Sequence, residues 1–255
     1  MNHSISILGC GWLGFPLGKA LLNEEYHVQG STTTESKIPL LAASGIHPFL
    51  VDVKNIKENI KFFLDVEILV IAIIKQDVHF FQNLIEQIET SSVKKVLFIS
   101  STSVYENNNQ TVTEDEPTKD CLLRKLETLF TKNEHFETTI LRFGGLFGYE
   151  RKPGNFVKAD HLMSNPEGFI NLIHQDDCIA IIKEILRKNI WNQTLHASAD
   201  THPKRREFYT KEALKLGKQE PLFNEHSENK YKVIDSTKIK DLLGYEFKYS
   251  DLMAY

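Results

Sequence analysis

The stretch Ile5-Ser6-Ile7-Leu8-Gly9-Cys10-Gly11-Trp12-Leu13-Gly14 decides how this chain is read. A short run rich in β-branched residues meets three glycines spaced GxGxxG, and apolar residues then recur at helical spacing from Pro16 to Asn23. A second apolar run, His27 to Gly30, follows at the distance a βαβ unit needs. The three glycines differ in what they permit. Gly9 allows a tight turn, Gly11 lets a pyrophosphate approach the backbone, and Gly14 lets the helix pack close to the strand. Phosphates brought there meet backbone N–H groups around Trp12 and Leu13 and the positive end of the helix dipole. A glycine turn alone would carry little. Strand, helix and second strand at the required spacing predict a bound dinucleotide.

The end of the second strand bears on which dinucleotide. An NAD-selective site offers Asp or Glu to the ribose 2′-OH about twenty residues after the glycines. Here the chain reads Gln29-Gly30-Ser31-Thr32-Thr33, with Lys37 nearby. No carboxylate repels a 2′-phosphate, and Ser31, Thr32, Thr33 and Lys37 are able to bind one, so NADP is favoured over NAD. The plainer alternative is that these are turn and cap residues. Asp52, at the end of the third strand, either accepts from the adenine amino group or caps the next helix.

On the C-terminal side of this stretch, apolar runs alternate with helical stretches through the first 150 residues, the sign of a parallel sheet covered on both faces. Strands are expected at Ser4 to Leu8, His27 to Gly30, Pro48 to Asp52, Ile68 to Ile74, Lys95 to Ser100 and Thr138 to Arg142. Helices are expected at Pro16 to Asn23, Glu35 to Ala43, Ile56 to Leu64, His79 to Glu89 and Leu122 to Phe130. In the last, Leu122, Leu123, Leu126, Leu129 and Phe130 form one stripe for the core. After Arg142 come Gly144, Gly145, Gly148, Pro153 and Gly154, which is loop chemistry. Beyond it lie a strand at Phe169 to Ile173, a helix capped by Asp176 or Asp177 that runs through Ile179, Ile182 and Leu186, and a strand at Thr194 to Ala197. A helix near Arg206 to Leu216 and a last strand and helix around Lys232 to Leu243 follow. The expected class is α/β, a doubly wound parallel Rossmann sheet with a small C-terminal α+β lobe. Residues 1–150 form the dinucleotide core and 151–255 the lobe, with 170–200 returning to the core sheet.

Composition narrows the partners. The 255 residues carry a formal net charge of −4 and 41% hydrophobic residues, enough for one large core without a basic field to hold nucleic acid or an anionic membrane. Cys10, Cys121 and Cys178 lie far apart, without metal-ligand spacing, and read as reduced thiols. The apolar stretch Ile5 to Leu22 is broken by Gly9, Gly11, Gly14, Pro16 and Lys19 and lacks a basic residue before it, so it is neither a signal peptide nor a membrane span. The expectation is a cytoplasmic protein, monomeric or homodimeric, that takes a small-molecule substrate and no metal.

Longer matches bring in a family. GCGWLGFPLGKAL (9–21), VLFISSTSVY (96–105), ILRFGGLFG (140–148) and FINLIHQDDCIAII (169–182) together resemble the short-chain dehydrogenase/reductases, in particular the atypical or extended branch of NAD-dependent epimerase/dehydratases. The resemblance implies that Ser101, with Thr102 as its near alternative, hydrogen-bonds a substrate oxygen at the end of the fifth strand. It also implies a Tyr four residues before a Lys, because an unassisted phenol with pKa about 10 is a poor base near neutrality. The chain departs from the family there: TKDCLLRKLETL (118–129) contains no tyrosine. If Lys125 takes the family lysine's place, Cys121 stands in the tyrosine's; a shift of two pairs Lys119 with Leu123. A thiol, with reference pKa about 8.5, is able to carry a proton, and it is equally able to be inert packing. Tyr105 occupies a position that is ordinarily structural in the family.

Three further residues are substrate candidates: Gly144 and Tyr149, in a loop expected to overhang the nicotinamide end, and His174, where the strand enters the lobe. Their plainer alternatives are a solvated loop and a satisfied core histidine. Two functions follow: an NADP-dependent oxidoreductase or epimerase/dehydratase for a small polar or sugar-type substrate, or a dinucleotide-binding sensor without turnover.

Overall fold

Seven strands in the order β10-β7-β5-β4-β1-β2-β3 make the central sheet of this chain, seen in a computed structural model that describes residues 4–73, 77–157 and 162–255. In chain order the elements are β1 (Ser4–Leu8), α1 (Gly14–Leu22), β2 (His27–Thr32), α2 (Ile38–Ala43), β3 (His47–Leu50), α3 (Ile60–Phe63), β4 (Ile68–Ile71), α4 (Val78–Glu89) and β5 (Lys95–Ser101). They continue with β6 (Gln110–Val112), α5 (Leu122–Thr131), β7 (Glu137–Phe143), β8 (Gly145–Phe147), β9 (Leu172–His174) and α6 (Gln175–Arg187). β10 (Thr194–Ala197), α7 (Arg205–Lys215), β11 (Lys232–Ile234) and α8 (Thr237–Leu243) complete the chain. The order reverses between β1 and β4, so the C-terminal ends of β1, β2, β3 and β4 surround one crevice, where open α/β sheets bind ligands. β1 pairs in parallel with β2 (Ile5 opposite Val28) and with β4 (Ile5 opposite Ile68). The class is the expected Rossmann-type α/β sheet.

Two compact units emerge from the contacts. The first comprises Met1–Ser100, Asp120–Leu141 and Ile182–Thr194; the second comprises Ser101–Lys119, Arg142–Ile181 and Leu195–Tyr255. The first unit has a phenylalanine core: Phe81 packs edge-on against Phe98 at 6.0 Å and Phe130 at 5.8 Å, with Leu8, Phe63, Leu84 and Ile140 around them. The second has its own core of Phe147, Ile170, Leu172, Phe208, Tyr209 and Leu252. It also holds two parallel strand pairs, β8 with β9 and β11 with β6. Among the described residues no helix is long and apolar enough to cross a membrane.

Several local expectations are corrected. The helix expected over Ile56 to Leu64 shrinks to Ile60–Phe63: turn bonds run from Asn55 N to Asp52 O and from Ile60 N to Lys57 O, and the Asn59 amide donates to Leu50 O. The helix expected over Glu35 to Ala43 splits into a 3-10 turn, Glu35–Lys37, and α2, because Pro39 in the second helical position has no N–H to continue an earlier turn. Leu122 is exposed: it opens α5, and core packing starts at Leu123. The strand expected at Phe169 to Ile173 lies instead at Leu172–His174. Asp176 and Asp177 do not precede α6; both fall in its first turn. Ile74, the expected end of the fourth strand, lies outside the described residues.

Candidate functional site

The glycine turn is built as its sequence requires. Gly9 has φ +103°, and a Cβ there would sit 2.5 Å from Ile73 Cγ2; one on Gly14 would sit 2.2 Å from Gly9 O. Gly11 differs: a Cβ on it would meet nothing within 4 Å. The protein leaves the space above Gly11 open. Gly9 N donates to Ser31 Oγ at 2.9 Å and Cys10 N to Ser31 O at 2.8 Å, so the end of β2 holds the turn in shape. Leu13 precedes α1 without any side-chain cap, and the first turn of that helix carries no acid.

A cavity of about 220 Å³ opens on this turn. Gly9, Gly11, Ser31, Thr32, Thr33, Lys37 and Asp52 all line it, so seven of the ten residues expected to bind cofactor share one space. Trp12, Leu13 and Gly14 do not line it; Leu13 and Gly14 are buried beneath the turn. Ser31 is buried, and its Oγ accepts from Gly9 N; Thr32 Oγ1 accepts from Thr34 N at 3.1 Å. Thr33 and Lys37 are exposed at the rim. Asp52 Oδ1 accepts from Lys54 N at 3.0 Å, a local turn rather than a cap on α3, and its carboxylate still faces the cavity. Val51, Val53, Ala72 and Ile73 give an apolar wall that motif reading missed. Strand order is the signal that locates it, because β3 and β4 end beside the glycine turn. Cys10 also lines the cavity, but burial pushes its thiol up to about 12, so it is unreactive at neutral pH. The cradle open at Gly11, the rim hydroxyls and lysine, and the apolar wall fit a dinucleotide.

The Ser-rich turn ends β5. Ser101 is half-buried and extended; its Oγ accepts from Ser103 N at 3.1 Å, a bond that does not use its O–H. Thr102 is buried. Tyr105 is structural, as its position suggests: it is fully buried, and Arg142 donates to its hydroxyl and lies over its ring. Cys121 is half-buried in extended backbone immediately before α5, and Lys125, exposed on that helix, pairs with Asp120 at 3.2 Å. The ammonium of Lys125 therefore already has a carboxylate partner.

A sequence model of the NAD(P)H-binding family matches residues 9–172, from the glycine turn to the start of β9. The chain belongs to that family. Protein YeeZ of Escherichia coli (strain K12) is 30% identical to this NAD(P)H-binding protein over 97% of the chain and 96% of the relative. Among solved structures, a conserved protein of unknown function from Silicibacter pomeroyi superposes with a TM-score of 0.83 at 17% identity, covering 99% of this chain and 96% of that one. UDP-glucuronic acid 4-epimerase from Bacillus cereus, in complex with NAD, superposes with a TM-score of 0.80 at 21% identity, covering 98% and 93%. The fold is that of the epimerase and short-chain dehydrogenase/reductase proteins.

In this family member the three residues expected to meet substrate all lie in the second unit, each with internal contacts. His174 is buried against the ring of Tyr249, with centroids 3.7 Å apart, and its Nδ1 accepts from Asp176 N at 3.1 Å. His174 thus caps α6, the role expected of Asp176 or Asp177, and burial holds its pKa below the ordinary histidine value. A Cβ on Gly148, at φ +123°, would sit 2.5 Å from His174 Nε2. Tyr149, exposed at φ +51°, donates to Asp176 Oδ1 at 2.7 Å. Burial pushes the Asp176 carboxyl up, but hydrogen bonds from Tyr149 and Lys248 outweigh it and leave the group below its usual range. Asp177 accepts from Tyr245 Oη, Lys248 N and Tyr249 N, which pins the segment after α8. Gly144 donates its N–H to Ala197 O, and a Cβ on it would lie 2.9 Å from Asn171 O.

Proposed function

We propose that this protein is an NADP-dependent oxidoreductase or epimerase/dehydratase acting on a small polar or sugar-type substrate. The observation that carries the cofactor reading is the cavity floored by Gly9 and open at Gly11, rimmed by Thr33 and Lys37, with no carboxylate at the end of β2. Lys37 and the threonine hydroxyls would hold the 2′-phosphate, and Asp52 would accept from the adenine amino group. When bound, the nicotinamide supplies or takes the hydride. Ser101, which caps its turn as an acceptor and so keeps its O–H to donate, would orient the substrate oxygen.

A second reading has its own support. Cys121 lies outside α5 and Lys125 is paired with Asp120, so neither register of the segment supplies the family's assisted proton donor. That favours a dinucleotide-binding sensor without turnover. Fluorescence titration decides the cofactor: tighter binding of NADPH than NADH supports the proposal, and the reverse overturns the NADP assignment. Incubation of NADPH-loaded protein with aldehydes, ketones and nucleotide sugars, wild type beside Ser101→Ala, separates enzyme from sensor. Turnover lost in the variant supports the enzyme. Tight NADPH binding with no oxidation across the panel leaves the sensor.

A further inference from the structure

Glu127 is a carboxylate on the face of α5 that packs into the phenylalanine core. It follows Leu126, precedes Phe130 by three residues, and is fully buried like both of them. A carboxylate taken out of water destabilises the fold unless it is paired and hydrogen-bonded. Here Ser100 Oγ donates to its Oε1 at 2.6 Å, and Arg124 Nη1 donates to its Oε2 at 3.3 Å. Ser100 is itself buried, and it immediately precedes Ser101 in β5. Ser100, Arg124 and Glu127 all belong to the first unit.

The pair lies in a seam that is otherwise apolar. Phe98, two residues before Ser100 and so on the same face of β5, packs against Phe130 with ring centroids 5.1 Å apart. Apolar packing has little directionality, whereas a hydrogen bond fixes distance and angle. A leucine in place of Glu127 would fill this seam without burying a charge, so packing alone does not explain the glutamate. What the glutamate adds is direction. With Ser100 held on the α5 side, alternation along the strand sets Ser101 on the opposite side. There its Oγ accepts from Ser103 N at 3.1 Å and caps the 3-10 turn Thr102–Val104. A slip of one residue at this end of β5 would exchange the two serines.

We propose that Glu127 is a positioning residue: acting through Ser100, it fixes the end of β5 so that Ser101 is set to meet the substrate. This rests on the reading of Ser101 as the group that orients the substrate oxygen. Arg124, one helical turn before Glu127, holds the second carboxylate oxygen and keeps the first one on Ser100.

The position of Ser101 is read directly by the Ser103 amide, which donates to its Oγ, so the test is amide hydrogen exchange followed by NMR on the full chain without ligand. The principal variant joins Glu127→Leu to Ser100→Ala. It removes both buried partners together and leaves the half-exposed Arg124 to water, so the fold is kept. The Ser103 amide is expected to exchange about tenfold faster in this variant, while the Leu97 amide in the middle of β5 stays within about twofold. Ser100→Ala alone should accelerate Ser103 in the same way, and Glu127→Gln, which keeps an acceptor for Ser100, should leave it near the wild-type rate. Unchanged exchange at Ser103 in both the double variant and Ser100→Ala overturns the proposal. Equal acceleration at Ser103 and Leu97 also overturns it, because it reports lost stability rather than lost position. On a substrate that wild type turns over with NADPH, the double variant should lower kcat about tenfold with the KM for NADPH unchanged, and a change confined to KM contradicts positioning. Absence of turnover in wild type removes the enzyme reading alone, since exchange at Ser103 still decides whether Glu127 fixes Ser101.

Discussion

Gly9 donates its backbone N–H to the hydroxyl of Ser31 at 2.9 Å, so the end of β2 clamps the glycine turn that opens α1. Ser31 lines the cavity expected to take the cofactor and also shapes the loop that floors it. Ser31→Ala removes the acceptor and leaves Gly9 N unpaired in a partly buried place, which costs about 1–2 kcal/mol. We expect urea unfolding to show that loss, and NADPH titration to show weaker binding with the NADPH/NADH ratio unchanged. A changed ratio would return Ser31 to the ribose.

His196 sets a pH dependence. Burial drives its pKa down from 6.5 to about 4, its backbone N–H donates to Glu114 Oε1, and its Nε2 meets Asp235 O. Below pH 6.5 the unfolded chain binds the proton that the folded chain refuses, so stability is whole above that value and falls as pH drops toward 4, by on the order of 2–3 kcal/mol. His174 and His202, also lowered by burial, act in the same direction. The neighbouring Glu114, raised by burial, opposes them in its own range. Denaturant melts from pH 7 to pH 4 should show the fall, and His196→Asn should flatten it; an unaltered slope in the variant would remove His196 as its source.

Cys121→Ser separates packing from chemistry. Cys121 occupies the position before α5 with no side-chain cap, and serine is a good residue there. The variant is expected to gain about 0.5–1 kcal/mol and to keep whatever NADPH oxidation wild type shows. Loss of turnover with gained stability would make the thiol the proton carrier.

The periodic part of the sequence is legible because periodicity is what a two-sided sheet imposes. β1 matches its expected range, and β2, β5 and β7 run one or two residues beyond theirs, since buried apolar runs and glycine punctuation fix them locally. The floor and rim of the cavity are legible for the same reason. Its wall at Val51, Val53, Ala72 and Ile73 is not, because those residues become neighbours only through strand order. Glu127 shows the other limit. It sits in the leucine stripe of α5 yet is fully buried: Arg124, one turn earlier, reaches it at 3.3 Å, but Ser100, which donates to it at 2.6 Å, is a partner that no helical period announces. Lys232 is similar: its partner Tyr105 O lies 127 residues away in the chain.

Gly11→Val is the decisive variant for dinucleotide binding at the glycine turn. A Cβ at Gly11 meets no protein atom within 4 Å, so the variant should fold with wild-type stability while its side chain occupies the space above the turn. In a fluorescence titration, wild type should saturate with NADPH and Gly11→Val should bind at least tenfold more weakly, with an unchanged melting temperature in the absence of cofactor. Equal NADPH affinity in the two proteins, or no binding by wild type, would refute a dinucleotide site at this turn.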